Sequence, residues 1–123
     1  MSLGKILVVD DAKFMRLVLV EHLNALGFEV VGEAENGEDA FEKYKSLSPD
    51  IVTMDIVMPE KDGIVGLELI HEHDANAKVI MVSALEQKEL ADKALTLGAK
   101  GFVKKPFEKE EIARVLRELG YQC

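Results

Sequence analysis

The sequence predicts an α/β domain: a five-stranded parallel sheet with helices on both faces. Three observations predict it. Five short apolar runs alternate with five segments of helical periodicity along the whole chain. The apolar runs are largely unbroken rather than alternating, as strands covered on both faces are. The connections are short, and no low-complexity stretch marks a linker. Strands in strict alternation with helices cross over right-handedly into a parallel sheet. The alternation by itself leaves the strand order open.

The first run, Lys5 to Val9, ends on the acid pair Asp10-Asp11. A helix is predicted from Ala12 to Ala25, closed by Gly27. Met15, Val18, Leu19, His22, Leu23 and Leu26 form its inward face, and Phe14, Leu17 and Val20 are apolar in surplus. Phe28 to Ala34 reads as the second strand. Asn36 offers an N-cap with acids in the first turn, and Ala40, Phe41, Tyr44 and Leu47 make the stripe of a helix that Pro49 ends.

The third run, Ile51 to Asp55, again ends on a carboxylate and is followed by Met58-Pro59. Gly63 marks a loop end, and Ile64, Leu67 and Ile70 predict a helix to about Asp74. Lys78 to Ser83 is the fourth strand. Glu86 to Leu97 is predicted helical, with Leu90, Ala94 and Leu97 inward and Gly98 as its stop. Gly101 to Pro106 is the fifth strand, and Glu108 to Leu119 closes the chain as a helix with Ile112, Val115, Leu116 and Leu119 inward.

A chain of 123 residues with 48% hydrophobic and 31% charged residues reads as one globular domain spanning 1–123, whether whole or cut from a longer regulator. Its net charge of −8 argues against a general nucleic-acid binder, and suits a cation or a basic partner surface. The single cysteine, Cys123, cannot form an internal disulfide, which fits a reducing cytoplasm; it reads as a frayed end. No apolar run approaches the roughly 20 residues of a membrane span, and no signal peptide is visible.

In a parallel sheet the C-terminal strand ends share one edge, where open α/β sheets bind ligands. Four of the five strands put reactive groups there: Asp10 and Asp11, Asp55, Ser83, and Lys105. Three carboxylates in one crevice repel each other; two unit charges about 4 Å apart cost a few kcal/mol at an effective dielectric of about 20. A hard cation relieves that, and an all-acid site with neither His nor Cys suits Mg²⁺. A cation beside a lysine ammonium and a serine hydroxyl forms a trap for a phosphoryl dianion. A carboxylate inside it is itself a nucleophile, giving an aspartyl phosphate.

These motifs are Asp10-Asp11, Asp55 with Met58-Pro59 and Asp62-Gly63, Ser83-Ala84, and Lys105-Pro106-Phe107. In this order and spacing the chain resembles a receiver domain of bacterial two-component response regulators, of the single-domain chemotaxis type. The resemblance covers essentially the whole chain. It implies a flavodoxin-like fold with strand order 2-1-3-4-5 and a cis Lys105-Pro106 bond, which would aim Lys105 into the crevice. It also implies site roles. Asp55 would accept the phosphoryl group from a histidine kinase or phosphotransfer protein. Mg²⁺ would be bound by Asp11, Asp55 and the backbone carbonyl of Val57, and by Asp10 through an intervening water. Lys105 would pair with the phosphoryl group and Ser83 would swing in to hydrogen-bond it. Phe102 would report that movement to the face of the fourth and fifth helices, where an output protein binds.

Other readings compete. A Mg²⁺-dependent hydrolase of similar fold would place its acids as Asp-x-Asp and needs a proton-transfer residue, whereas Asp10 and Asp11 are adjacent. A nucleotide or flavin binder needs a glycine-rich loop, which Asp11-Ala12-Lys13 is not. A scaffold without phosphorylation would have no use for the intact set. His71 and His73, two apart on a helix, face different ways and do not suggest a metal site. The surplus apolar residues beside the crevice, chiefly Phe14 and Leu17, are expected to dock the kinase; for Met15 and Val20 a docking and a core reading compete. Val57 and Leu85 offer no hydrogen bond to a water attacking the aspartyl phosphate, so a long-lived phosphorylated state is expected.

Overall fold

The computed structural model describes residues 2–56, 58, 62–84 and 88–123. Strands and helices alternate in chain order: β1 (Lys5–Val9), α1 (Lys13–Ala25), β2 (Glu29–Ala34), α2 (Gly37–Leu47), β3 (Ile51–Asp55), α3 (Gly63–His73), β4 (Val79–Ala84), α4 (Lys88–Thr96), β5 (Gly101–Lys105) and α5 (Lys109–Glu118). All neighbouring strands pair in parallel, in the order β2-β1-β3-β4-β5. This is the order the resemblance implies.

Side chains alternate across a strand, and here both faces are covered. On one face Ile6, Val8, Ile51, Ile80 and Val82 pack with Leu19 and Leu23 of α1 and Ile112, Val115 and Leu116 of α5. On the other, Leu7, Val9, Val52, Met54, Val79 and Met81 pack with residues of α2, α3 and α4, among them Tyr44, Leu67, Ile70 and Ala94. The unbroken apolar runs follow from this double burial. The Asn36 side chain accepts from the Asp39 N–H at 2.8 Å, as the cap reading requires. Gly27 and Gly98, just past α1 and α4, take left-handed φ of +100° and +117°, where a side chain would be strained.

Several expectations are corrected. Leu90 is 39% exposed and Ala91 is buried in its place; α4 turns its alanines to the core, because small residues let it lie close to the sheet. Met15, Val18 and Leu26 pack against the core as expected, though half-buried, and His22 is half-buried too; the unexpected inward residue of α1 is Arg16, beside Leu19 and Leu23. Leu47, at the end of α2, is 36% exposed but lies over Gly32, with its Cδ1 2.7 Å from where a Cβ there would sit. Cys123 is tied down rather than frayed: its carbonyl accepts from the Arg117 side chain at 2.7 Å, and its thiol lies 3.9 Å from the Ala113 carbonyl.

Candidate functional site

The strand ends converge as the topology requires. Carboxylate oxygens of Asp10, Asp11 and Asp55 lie within 4.8 Å of one another. Asp10 and Asp55 are buried at the ends of the adjacent strands β1 and β3, whereas Asp11 is exposed at the rim. Asp10 is held on every side. Its N–H donates to the Ala34 carbonyl at 3.0 Å, and one carboxylate oxygen accepts from the Ala12 N–H at 2.8 Å. The other accepts from the Lys105 ammonium at 3.1 Å.

Lys105 comes from the far edge of the sheet, yet its ammonium also stands 3.3 Å from Asp55. The Lys105-Pro106 bond is cis, as the resemblance implies. Burial works against the ammonium's charge, but Asp55 and Asp10 more than offset it and hold Lys105 above its ordinary pKa. Burial first, and then the Asp10 carboxylate, push Asp55 up to about 6, while Lys105 pulls it down. One ammonium cannot neutralise three acids, and the unmatched negative charge is the electrostatic demand for a cation.

Ser83 is buried at the end of β4, one residue beyond Val82, the partner of Asp55. Among the described residues, its hydroxyl makes only a weak 3.4 Å contact, to the Ala84 carbonyl. Phe102 is half-buried on β5 against the core cluster, and with Pro106, Glu108 and Arg114 it lines a groove between β5 and α5. Val57 and Leu85 lie outside the described residues.

Thr53 and Arg16 carry roles that the sequence reading does not assign, and Gly63, a loop end and motif glycine in the sequence, carries a further one. Gly63 starts α3 directly over the end of β3: its N–H donates to the Ile56 carbonyl at 2.8 Å, and a Cβ would stand 2.0 Å from the Asp55 carbonyl oxygen. Thr53, two residues before Asp55, has a buried hydroxyl with no partner among the described residues. Arg16 is 8% exposed. Its guanidinium donates to the Asp10 backbone carbonyl at 2.7 Å and to Glu33 at 2.9 Å, with Glu35 at 3.7 Å. The signal for Arg16 was present, because residues 16, 19 and 23 make one helical stripe.

The sequence matches the response regulator receiver domain family over residues 6–117. The chain belongs to this family. The receiver is 50% identical over 114 residues to the chemotaxis protein CheY of Bacillus subtilis, covering 93% of this chain and 95% of that one. It is 47% identical over 116 residues to CheY of Thermotoga maritima, covering 94% and 97%. Among solved structures it is similar to a chain of the CheX-CheY-BeF3-Mg²⁺ complex of Borrelia burgdorferi, with a TM-score of 0.89 and 39% identity over 94% of this chain and 87% of that one. This receiver is a phosphoacceptor signalling domain of the two-component type, not a member of a classical enzyme family. No helix among its described residues is long and apolar enough to cross a membrane.

Proposed function

We propose that the receiver takes a phosphoryl group onto Asp55 from a histidine kinase or phosphotransfer protein, with Mg²⁺ as cofactor, and so switches its protein contacts. The observation that carries this reading is the Lys105 ammonium shared between Asp10 and Asp55 beside a third acid. An all-carboxylate donor set fits a hard divalent cation. Asp10, Asp11 and Asp55 would hold it, together with the Val57 backbone carbonyl. When bound, the cation supplies positive charge that neutralises phosphoryl oxygens.

The chain's own groups do the rest. An Asp55 carboxylate oxygen bonds to phosphorus while the bond from phosphorus to the donor imidazole nitrogen breaks, and that nitrogen keeps the electron pair. Asp10, held by Ala12 and Lys105, keeps its place while Asp55 changes partner. Lys105 exchanges its Asp55 contact for a phosphoryl oxygen, a charge-assisted bond it is already placed to make. The Ser83 hydroxyl gives up its weak 3.4 Å contact for another phosphoryl oxygen, and Phe102 follows into the core. The groove beside Phe102, on the face of α4, β5 and α5, is then the surface that an output protein reads. The exposed Phe14 and Leu17 of α1 form the surface that the kinase docks on. The likeness to a chain from a complex containing CheX and Mg²⁺ supports both a protein partner and the cofactor.

Incubation with a small acyl phosphate and Mg²⁺ tests the chemistry. Mass spectrometry should find one added phosphoryl group on Asp55, absent in EDTA and absent in Asp55→Asn. Stable labelling of Asp55→Asn at another residue overturns the assignment.

A further inference from the structure

We propose that Arg16 is a positioning residue for the acidic site and that its guanidinium sets how tightly the site binds a divalent cation; this rests on the metal reading above. Arg16 is almost fully buried on α1, where a charge is costly unless paired. Its carboxylate partners among the described residues, Glu33 and Glu35, lie at the rim, with side chains 44% and 70% exposed. The short, buried contact goes instead to the Asp10 backbone carbonyl, at 2.7 Å.

That carbonyl belongs to the peptide unit joining Asp10 to Asp11. A peptide unit is planar from one Cα to the next. A donor that fixes its oxygen therefore fixes the plane from which both carboxylates diverge. The Asp10 side chain is pinned separately, by the Ala12 N–H and Lys105. Asp11 is exposed, and none of those side-chain contacts reaches it. Arg16 thus controls the Asp11 direction through the backbone, by the directional bond of its planar guanidinium to the Asp10 carbonyl.

Mg²⁺ binding to the full chain, measured by isothermal titration calorimetry, tests this, with thermal midpoints in EDTA read alongside. Arg16→Lys keeps the charge and loses the planar guanidinium; Arg16→Met loses both; Glu33→Gln keeps the carbonyl bond. Groups that orient metal ligands typically contribute about 10- to 100-fold in affinity. Arg16→Lys and Arg16→Met are each expected to weaken Mg²⁺ binding about tenfold or more, and Glu33→Gln to stay near wild type. Loss of a nearby positive charge alone would tighten binding in Arg16→Met and leave Arg16→Lys unchanged, and that outcome overturns the proposal. Lowered midpoints with Mg²⁺ affinity intact overturn it too, and leave Arg16 a purely structural residue. Should Arg16→Met not fold, Arg16→Lys decides alone. A wild-type protein that fails to bind Mg²⁺ overturns the reading of the site itself, whereas wild-type binding with unaltered variants overturns only the part given to Arg16.

Discussion

At Asp55, burial and the Asp10 carboxylate oppose ionisation while Lys105 favours it, and the carboxyl settles at about 6. The unfolded chain would release this proton near the ordinary value of 3.8. Between those values the folded protein holds a proton that the unfolded chain has lost, so the stability of the metal-free protein falls as pH rises through that window. The penalty is fully present above about pH 6 and amounts to about 3 kcal/mol. Asp55→Asn should therefore raise the melting midpoint of metal-free protein at about pH 7.5 and change it little at about pH 4. An equal change at both pH values would contradict the account. Thr53, on the same strand, makes a second prediction. Its buried hydroxyl lacks a partner among the described residues, so Thr53→Val should be neutral or stabilising by about 1 kcal/mol in chemical denaturation. A clear loss of stability would mean that the hydroxyl is hydrogen-bonded in solution.

Two helices meet the site, each in its own way. The first residue of α3 lies against the backbone of β3 at Asp55, and only a residue without a Cβ fits there. Gly63→Ala must push the helix start and the Asp55 carbonyl apart, at a cost of about 1–3 kcal/mol. It should slow labelling by a small acyl phosphate as well as lower the melting midpoint. Normal labelling in a destabilised variant would show that the strand end does not depend on this contact. Helix α1 turns Leu19 and Leu23 to the core and leaves Phe14 72% and Leu17 53% exposed. Aromatic and aliphatic anchors of this kind carry much of the energy of an interface. A Phe14→Ala, Leu17→Ala double variant should lose about tenfold or more in transfer from the kinase while small-molecule labelling stays intact. Unchanged kinase transfer would remove α1 as the docking element.

Over the whole molecule, the parallel sheet gathers groups far apart in the chain, and Lys105 meets an acid 95 residues before it. On the proposed function, the residues that follow these strand ends in sequence would set how long the phosphorylated state lasts. Hydrolysis needs an oriented water, and the side chains next to the site in sequence, Val57 and Leu85, offer it no hydrogen bond. Val57→Asn and Leu85→Glu should each speed decay of the phosphorylated protein in Mg²⁺ buffer by about tenfold, equivalent to about 1.4 kcal/mol. Equal or slower decay would place control of the lifetime in the backbone and the cation instead.

The sequence alone determined the order and kind of every element, because unbroken apolar runs and 3.6-residue stripes are local patterns. It also determined that Asp10, Asp11, Asp55, Ser83 and Lys105 share one edge, since parallel strands place all their C-terminal ends together. Tertiary packing decided the rest. Whether Leu90 or Ala91 faced the core depended on how close α4 lies to the sheet. Arg16 went inward because the Asp10 carbonyl and Glu33 were there to receive its charge. Gly63 was required by an approach to Asp55 that no spacing reveals. The ionisation of Asp55 was set by the burial and neighbouring charges that the fold imposes, because electrostatic energies follow distance and solvent access in space rather than position along a chain.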